Sequence, residues 1–233
     1  MSRGELRGAV VVMAKAPREG FVKTRLTGVY PAHEVVRLSE CMLRDTVTLV
    51  QTLPRVHVAV MCPSEDVSDI QSCVPAGLQV VGQRGQGLAA ALASVFERFL
   101  PDFRRVVAVD SDSPHLPPAR LEAAFDLLET NDVAVGPTED GGYYLVGASA
   151  MHPHLFELAP LGTDGARDAL LENARRLDLS VAFTEACYDV DLPADVRRLA
   201  AELRTEPARA PRTAALIASW RPGPDARDDE RAG

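Results

Sequence analysis

The sequence predicts a three-layer α/β/α fold around a mostly parallel sheet. Short β-branched runs with no polar face alternate with segments of helical period, as strands buried on both faces alternate with crossover helices. No stretch repeats another and no second core is legible. One domain over residues 1–204 therefore carries the strands and helices, followed by a Pro- and Arg-rich tail over 205–233. With 233 residues and 46% hydrophobic content, the chain is long enough for one full core.

Residues 8–14, GAVVVMA, read as the first buried strand. It runs into a loop carrying Lys15, Arg18, Lys23 and Arg25, broken by Pro17 and Gly20, with Glu19 as its one acid. Cations clustered past the carboxyl end of a first strand mark the place where an open α/β sheet binds an anion. Lysine offers a flexible point charge there and arginine a planar fork. Val35, Leu38, Met42, Leu43, Val47 and Val50 have the spacing of a one-faced helix ending near Pro54. Residues 56–61 are a second strand, 64–77 a polar excursion with one helical turn, and 78–81 a third strand. The GQRGQG turn, with Gly85 and Gly87, precedes a helix over 88–100. It reads either as a flexible turn or as open backbone N–H groups for a base or phosphate.

The strand over 105–109 ends in Asp110-Ser111-Asp112-Ser113-Pro114, and a helix starts at Leu116-Pro117-Pro118. A strand over 133–137, the turn Thr138–Gly142 and a further strand over 143–147 follow. Residues 151–161 are a loop with a short helix at Leu155-Phe156; 164–177 has helical period; 181–183 is the last strand; 193–203 is a helix. From Thr205 the composition predicts a disordered or loosely docked tail. Its apolar patch at 214–220 is expected to form a short helix, packed on the body or on a neighbouring subunit of a homodimer.

A net charge of −8 argues against nucleic-acid or anionic-membrane binding, while a local basic loop still captures a small polyphosphate. The four cysteines form no CxxC pair, so reduced thiols of a cytoplasmic protein are expected rather than zinc. The apolar run before Lys15 is too short for a signal segment or a membrane-spanning helix.

Asp110 and Asp112, two apart past a buried strand, can face one cavity and suit Mg²⁺ or Mn²⁺. Asp189 and Asp191 repeat the spacing, and Asp191 reads as a metal ligand or as the N-cap of the next helix. Asp140, beside Gly141-Gly142, is a candidate to hold an acceptor hydroxyl or a metal-bound water. His115 is a candidate substrate contact. No Walker loop, no G-x-G-x-x-G after the first strand and no G-x-S-x-G elbow is present.

These residues carry a resemblance. Met13-Ala14-Lys15-Ala16-Pro17 with Gly20, Val22–Leu26, Asp110–Pro114, Asp140–Tyr144 and Tyr188–Pro193 resemble the bacterial family DUF2064, over roughly residues 8–204. Some of its members carry the description arsenosugar-biosynthesis glycosyltransferase. More broadly the chain is similar to the GT-A-like superfamily of nucleotidyltransferases and nucleotide-sugar glycosyltransferases, which implies a Rossmann-like, GT-A-like sheet. The resemblance implies that the basic loop wraps a nucleoside triphosphate, and that Asp112 with Asp191 forms a split metal site assisted by Asp110. Leu88–Ala91 departs from the acidic residue and second glycine that many relatives carry there.

The expected activity is transfer of NMP from an NTP to a small phosphate, phosphonate or similar oxyanion, with release of pyrophosphate. The alternatives are a GT-A glycosyltransferase using a nucleotide sugar, and a non-catalytic nucleotide binder. The candidate catalytic set is Lys23, Arg25, Asp112 and Asp140. The candidate nucleotide set is Ala14, Lys15, Arg18, Lys23, Arg25, Gly85 and Gly87, and the candidate metal set is Asp110, Asp112 and Asp191.

Overall fold

Strands β1 (Gly8–Met13), β2 (Val56–Cys62), β3 (Gln79–Gly82), β4 (Val106–Asp110), β5 (Val133–Pro137), β6 (Tyr143–Ala148) and β7 (Val181–Phe183) share one sheet, ordered β3-β2-β1-β4-β6-β5-β7. The structure is a computed structural model that describes residues 6–156 and 165–220. All neighbouring pairs are parallel except those of β6, which runs antiparallel to both β4 and β5. The short turn at Thr138–Gly142 forces this reversal, because five residues can close a hairpin but cannot supply a crossover.

Alternation along the central strands builds the three layers. In β1, Val10 and Val12 face a core shared with α1 (Ala32–Gln51), α2 (Val67–Cys73) and α4 (Pro118–Leu127). Ala9 and Val11 face the opposite core, built with α3 (Gly87–Phe99) and α5 (Ala166–Arg176). Val107 and Val109 of β4 repeat the first choice, Val106 and Ala108 the second. The chain is thus an α/β/α, GT-A-like fold with a mostly parallel sheet. The polar excursion holds two helical turns in α2 rather than one, with Ile70 fully buried as its anchor.

A third cluster joins α1 to α6 (Pro193–Thr205) and α7 (Pro211–Ser219) through Leu38, Met42, Leu199, Leu203 and Leu216. Here the expectation of a loose tail is corrected for residues 205–220; 221–233 lie outside the described residues. The patch expected at 214–220 is part of a helix that begins three residues earlier and packs on its own chain. The reason is Asp45 of α1, which is buried. Its carboxylate accepts the backbone N–H groups of Arg212 at 3.3 Å and Thr213 at 2.8 Å, and the Arg212 guanidinium at 3.1 Å. An acid from one helix thereby caps the first turn of another, satisfying N–H groups that have no partner within α7. Trp220 closes the contact, its ring packed at a tilt on Tyr30 with centroids 4.7 Å apart and its indole N–H donated to Glu34.

Asp45→Ala leaves the buried Thr213 N–H unpaired and breaks both bonds to Arg212, and is expected to cost about 3 kcal/mol, read by urea unfolding. A loss below about 1 kcal/mol would show that apolar contacts alone dock α7.

Candidate active site

β1 continues to β2 and β3 on one side, whereas β4 starts the other half of the sheet, so the strand order reverses between β1 and β4. Loops leaving two such strands diverge and open a crevice at their carboxyl ends. Met13 of β1 lies opposite Asp110 of β4, which sets the basic loop and the first acidic doublet side by side. Because β6 is antiparallel, its first residue and the Thr138–Gly142 turn reach the same edge. The result is a cleft of about 770 Å³, whose lining includes Lys15, Lys23, Arg25, Asp110, Asp112 and Asp191.

Asp189 and Asp191 arrive by a different route. After β7 the chain runs beside the end of β5, with Cys187 bonded to Pro137 and Glu139 through the backbone. Val190 N–H then donates to Asp112 O at 3.0 Å, and Ser113 Oγ to Tyr188 O at 3.2 Å. These bonds stitch the two acidic doublets together. Asp195 caps α6 by accepting the N–H groups of Asp191 and Leu192, so Asp191 is not the N-cap and its side chain is free to turn inward.

Lys23 lies between the doublets. Its ammonium is 2.8 Å from Asp112 Oδ2 and 2.7 Å from Asp191 Oδ1, and its side chain is 5% exposed. Burial alone would lower its pKa, but the charges of Asp112 and Asp191 and their hydrogen bonds outweigh this and raise it, so the group stays charged. The backbone there is left-handed, φ 47° and ψ 41°, which is costly for a residue with a side chain. The ion pairs and the following turn, whose Leu26 is fully buried, hold it.

The acids carry an unrelieved excess of charge. Burial pushes the Asp110 carboxyl well above the usual carboxylate range, with Asp112 and Asp189 adding to the effect. Burial also raises Asp189, to about 6, with Asp191 and Asp140 contributing. Asp110 Oδ1 accepts the Asp112 N–H at 3.1 Å. No three His, Cys, Asp or Glu side chains among the described residues form a ready metal cage. Asp112 and Asp191 do converge on one cationic position, and two hard carboxylate oxygens completed by water and ligand phosphate fit Mg²⁺ or Mn²⁺.

The remaining candidates separate into two groups. Lys15 and Arg25 are exposed on the cleft, and Ala14, Gly85 and Gly87 also line it. The N–H of Ala14 is committed to Met61 O in the sheet, so only its surface faces a ligand. Gly85 and Gly87 have φ of 73° and 82°, which explains their identity, and the first turn of α3 has no side-chain cap. Arg18, by contrast, does not line the cleft. It pairs with Asp69 at 2.7 Å and Asp66 at 3.0 Å on α2 and the turn before it, fastening the loop's outer limb. Asp140 lines the cleft, but its Oδ1 accepts the Thr138 hydroxyl and the Gly142 N–H. Although burial works in the other direction, these bonds lower its pKa, so it is a rivet of the turn and a weak base. His115 is corrected as a substrate contact: it is 3% exposed and packs against Cys187 and Tyr188, and burial brings its pKa down to about 4.

Sequence reasoning passed over Asp189 as a site residue, although its spacing from Asp191 was the available signal. It also gave no hint of Arg198, which grips Glu139 through two bonds of 2.8 and 3.0 Å and lies 3.8 Å above the Tyr188 ring. The buried Tyr143 hydroxyl, on a residue lining the cleft, has no hydrogen-bond partner among the described residues.

Because their pKa values are raised in the folded state, Asp110 and Asp189 contribute stability that is present below the unfolded value of 3.8 and lost as pH rises through the folded value, about 6 for Asp189. Asp110→Asn keeps the bond from the Asp112 N–H and removes one charge. It is expected to raise the thermal midpoint of the metal-free protein at pH 8 by several degrees, with the gain vanishing below pH 4. An unchanged midpoint at pH 8 would refute the cost assigned to the buried, crowded charge.

Solved structures share this architecture. A provisionally assigned nucleotide-diphospho-sugar transferase from Desulfovibrio desulfuricans G20 is 24% identical, with TM-score 0.84 over 91% of this chain and 94% of that one. A nucleotidyl transferase from Methanothermobacter thermautotroptrophicus is 17% identical, with TM-score 0.58 over 84% of this chain and 99% of that one. The manganese complex of Rv0371c from Mycobacterium tuberculosis H37Rv is 20% identical, with TM-score 0.50 over 82% and 97% of the two chains. None of the curated proteins matches the sequence. The family described as "Uncharacterized protein conserved in bacteria (DUF2064)" matches residues 46–163, which hold the Asp110–Asp112 and Thr138–Gly142 edge of the cleft. The basic loop and Asp191 lie outside that stretch and are joined to it by the contacts just described. The chain belongs to the DUF2064 family.

Proposed function

We infer that the protein is a divalent-metal-dependent nucleotidyltransferase, moving NMP from an NTP to a small phosphate, phosphonate or related oxyanion acceptor and releasing pyrophosphate. The observation that carries this reading is the convergence of Asp112 and Asp191, from two separate loops, on one cationic position at the switch point of the sheet. A divalent ion at such a split pair keeps coordination positions for phosphate oxygens. The manganese bound by Rv0371c and the nucleotidyl transfer assigned to the Methanothermobacter protein, both on this fold, agree with it.

The bound ion would fix the α-phosphate and withdraw charge from it. Asp112 and Asp191 would hold that ion, and Asp110 braces the loop through the Asp112 N–H. Lys15 and Arg25, exposed on the cleft, neutralise the phosphate chain, and Lys23 stands ready beside the acids. The uncapped N-terminus of α3 offers further N–H groups to the donor. Asp140 is held as an anion by Thr138 and Gly142, so the cleft lacks a strong base at that turn. An acceptor that already carries negative charge needs none. The rate then comes from positioning and electrostatic stabilisation.

A glycosyltransferase reading also has an observation in its favour: Asp110 and Asp112 open on one cleft, and the Desulfovibrio structure is assigned to nucleotide-diphospho-sugar transfer. It requires the ion on that doublet and Asp140 as base, against the hydrogen bonds that already engage Asp110 and Asp140.

Product analysis tests the choice: pyrophosphate from an NTP is expected, and nucleoside diphosphate from a sugar nucleotide would overturn it. Lys23→Ala is expected to cost about 3 kcal/mol of transition-state stabilisation, a loss of about a hundredfold in rate. Unchanged turnover would remove Lys23 from the mechanism.

A further inference from the structure

Lys15 and Lys23 are the only lysines in a chain with 25 Lys and Arg residues, and both stand in the loop after β1. Everywhere else the positive charge is arginine. Lys15 is exposed on the cleft, whereas Lys23 is turned down into it by its left-handed backbone. Its ammonium sits between Asp112 and Asp191, less than 3 Å from an oxygen of each. That is the position the nucleotidyltransferase reading gives to the divalent ion, and two cations cannot share it.

We propose that Lys23 is a tethered counter-ion that occupies the metal position of the free protein and blocks it until a donor phosphate draws the ammonium away. The inference rests on the nucleotidyltransferase reading for the identity of the two carboxylates as metal ligands. Its physical basis is the cost of an unpaired buried charge. An ion that simply displaced Lys23 would gain Asp112 and Asp191 but strip the ammonium, whose side chain is 5% exposed, of both its close counter-charges. A phosphate chain beside the ion supplies that counter-charge. Ion and donor therefore favour one another's binding, and the coupling is reciprocal.

A lysine suits this exchange better than an arginine. A single point charge on a flexible stem can pass from carboxylate to phosphate by rotating its terminal bonds, whereas a bidentate guanidinium fork must break two bonds at once. The chain on the two sides of Lys23 is packed differently. Gly20, at φ 76°, and the exposed Phe21 precede Lys23, while Leu26, buried just after it, anchors the turn. The stem can swing while its root stays fixed.

The test is Mn²⁺ binding to the full chain without nucleotide, followed by electron paramagnetic resonance of the free ion. Lys23→Gln is expected to bind Mn²⁺ at least tenfold more tightly than the wild type. Equal or weaker binding overturns the proposal. Should that variant fail to fold, the wild type answers by itself, since selective ¹³C labelling of lysine gives two side-chain signals with Lys15 as internal control. Mg²⁺ alone is expected to leave the Lys23 signal in place, and Mg²⁺ with ATP, GTP, CTP or UTP in turn to shift it with at least one of them. A Lys23 signal that moves with Mg²⁺ alone, or that stays put with every nucleotide, sinks the idea. Neither measurement needs turnover, so absence of pyrophosphate release would reject the proposed reaction while leaving the counter-ion assignment to stand or fall by these data.

Discussion

Everything at this edge of the sheet answers to one electrostatic constraint. Asp110, Asp112, Asp189 and Asp191 are drawn to one cleft, and among them a single buried ammonium, that of Lys23, makes two close ion pairs. Burying carboxylates, and collecting them without enough positive charge, costs folding energy, as the raised pKa values of Asp110 and Asp189 express. A protein retains such an arrangement where a ligand brings the missing charge. Lys23 is best understood as the partial relief the chain carries for itself.

The scaffold keeps this group together with bonds that do not touch a ligand. Val190 and Ser113 join the loop after β4 to the segment before α6. Asp195 takes over the cap of α6 and leaves Asp191 free for the cleft. Arg198 pins Glu139 and covers Tyr188, so the turn between β5 and β6 is held against α6. Arg18 does the corresponding work on the opposite wall, tying the basic loop to Asp66 and Asp69. Of the two arginines placed in the donor set, only Arg25 remains open on the cleft. The difference lies in the partners each meets after folding, which residue type cannot disclose.

Much of this was legible in the sequence, for identifiable reasons. Unbroken apolar runs rich in valine, such as Val10–Val12 and Val106–Val109, are unambiguous because burial on both faces leaves no polar positions. The one-faced spacing of Val35 to Val50 gave α1 almost to its ends. The basic loop and the acidic doublets followed as strand-end signals. What failed was contact between distant segments: Asp45, in the middle of α1, looks like any exposed helical acid until α7 is docked on it. A Pro- and Arg-rich stretch looks like a tail by composition, yet Ala210, Thr213 and Leu216 are buried.

The sequence by itself determined the alternation of strands and helices, the α/β/α class and the residue types that gather at the strand ends, because local period and composition specify these. Only the tertiary structure decided which charges meet. The reversal of strand order between β1 and β4 puts Lys23 within 3 Å of acids that are 89 and 168 positions away in the chain. An ion pair is set by distance and burial in the folded molecule, and neither quantity is written in the spacing of residues along the chain.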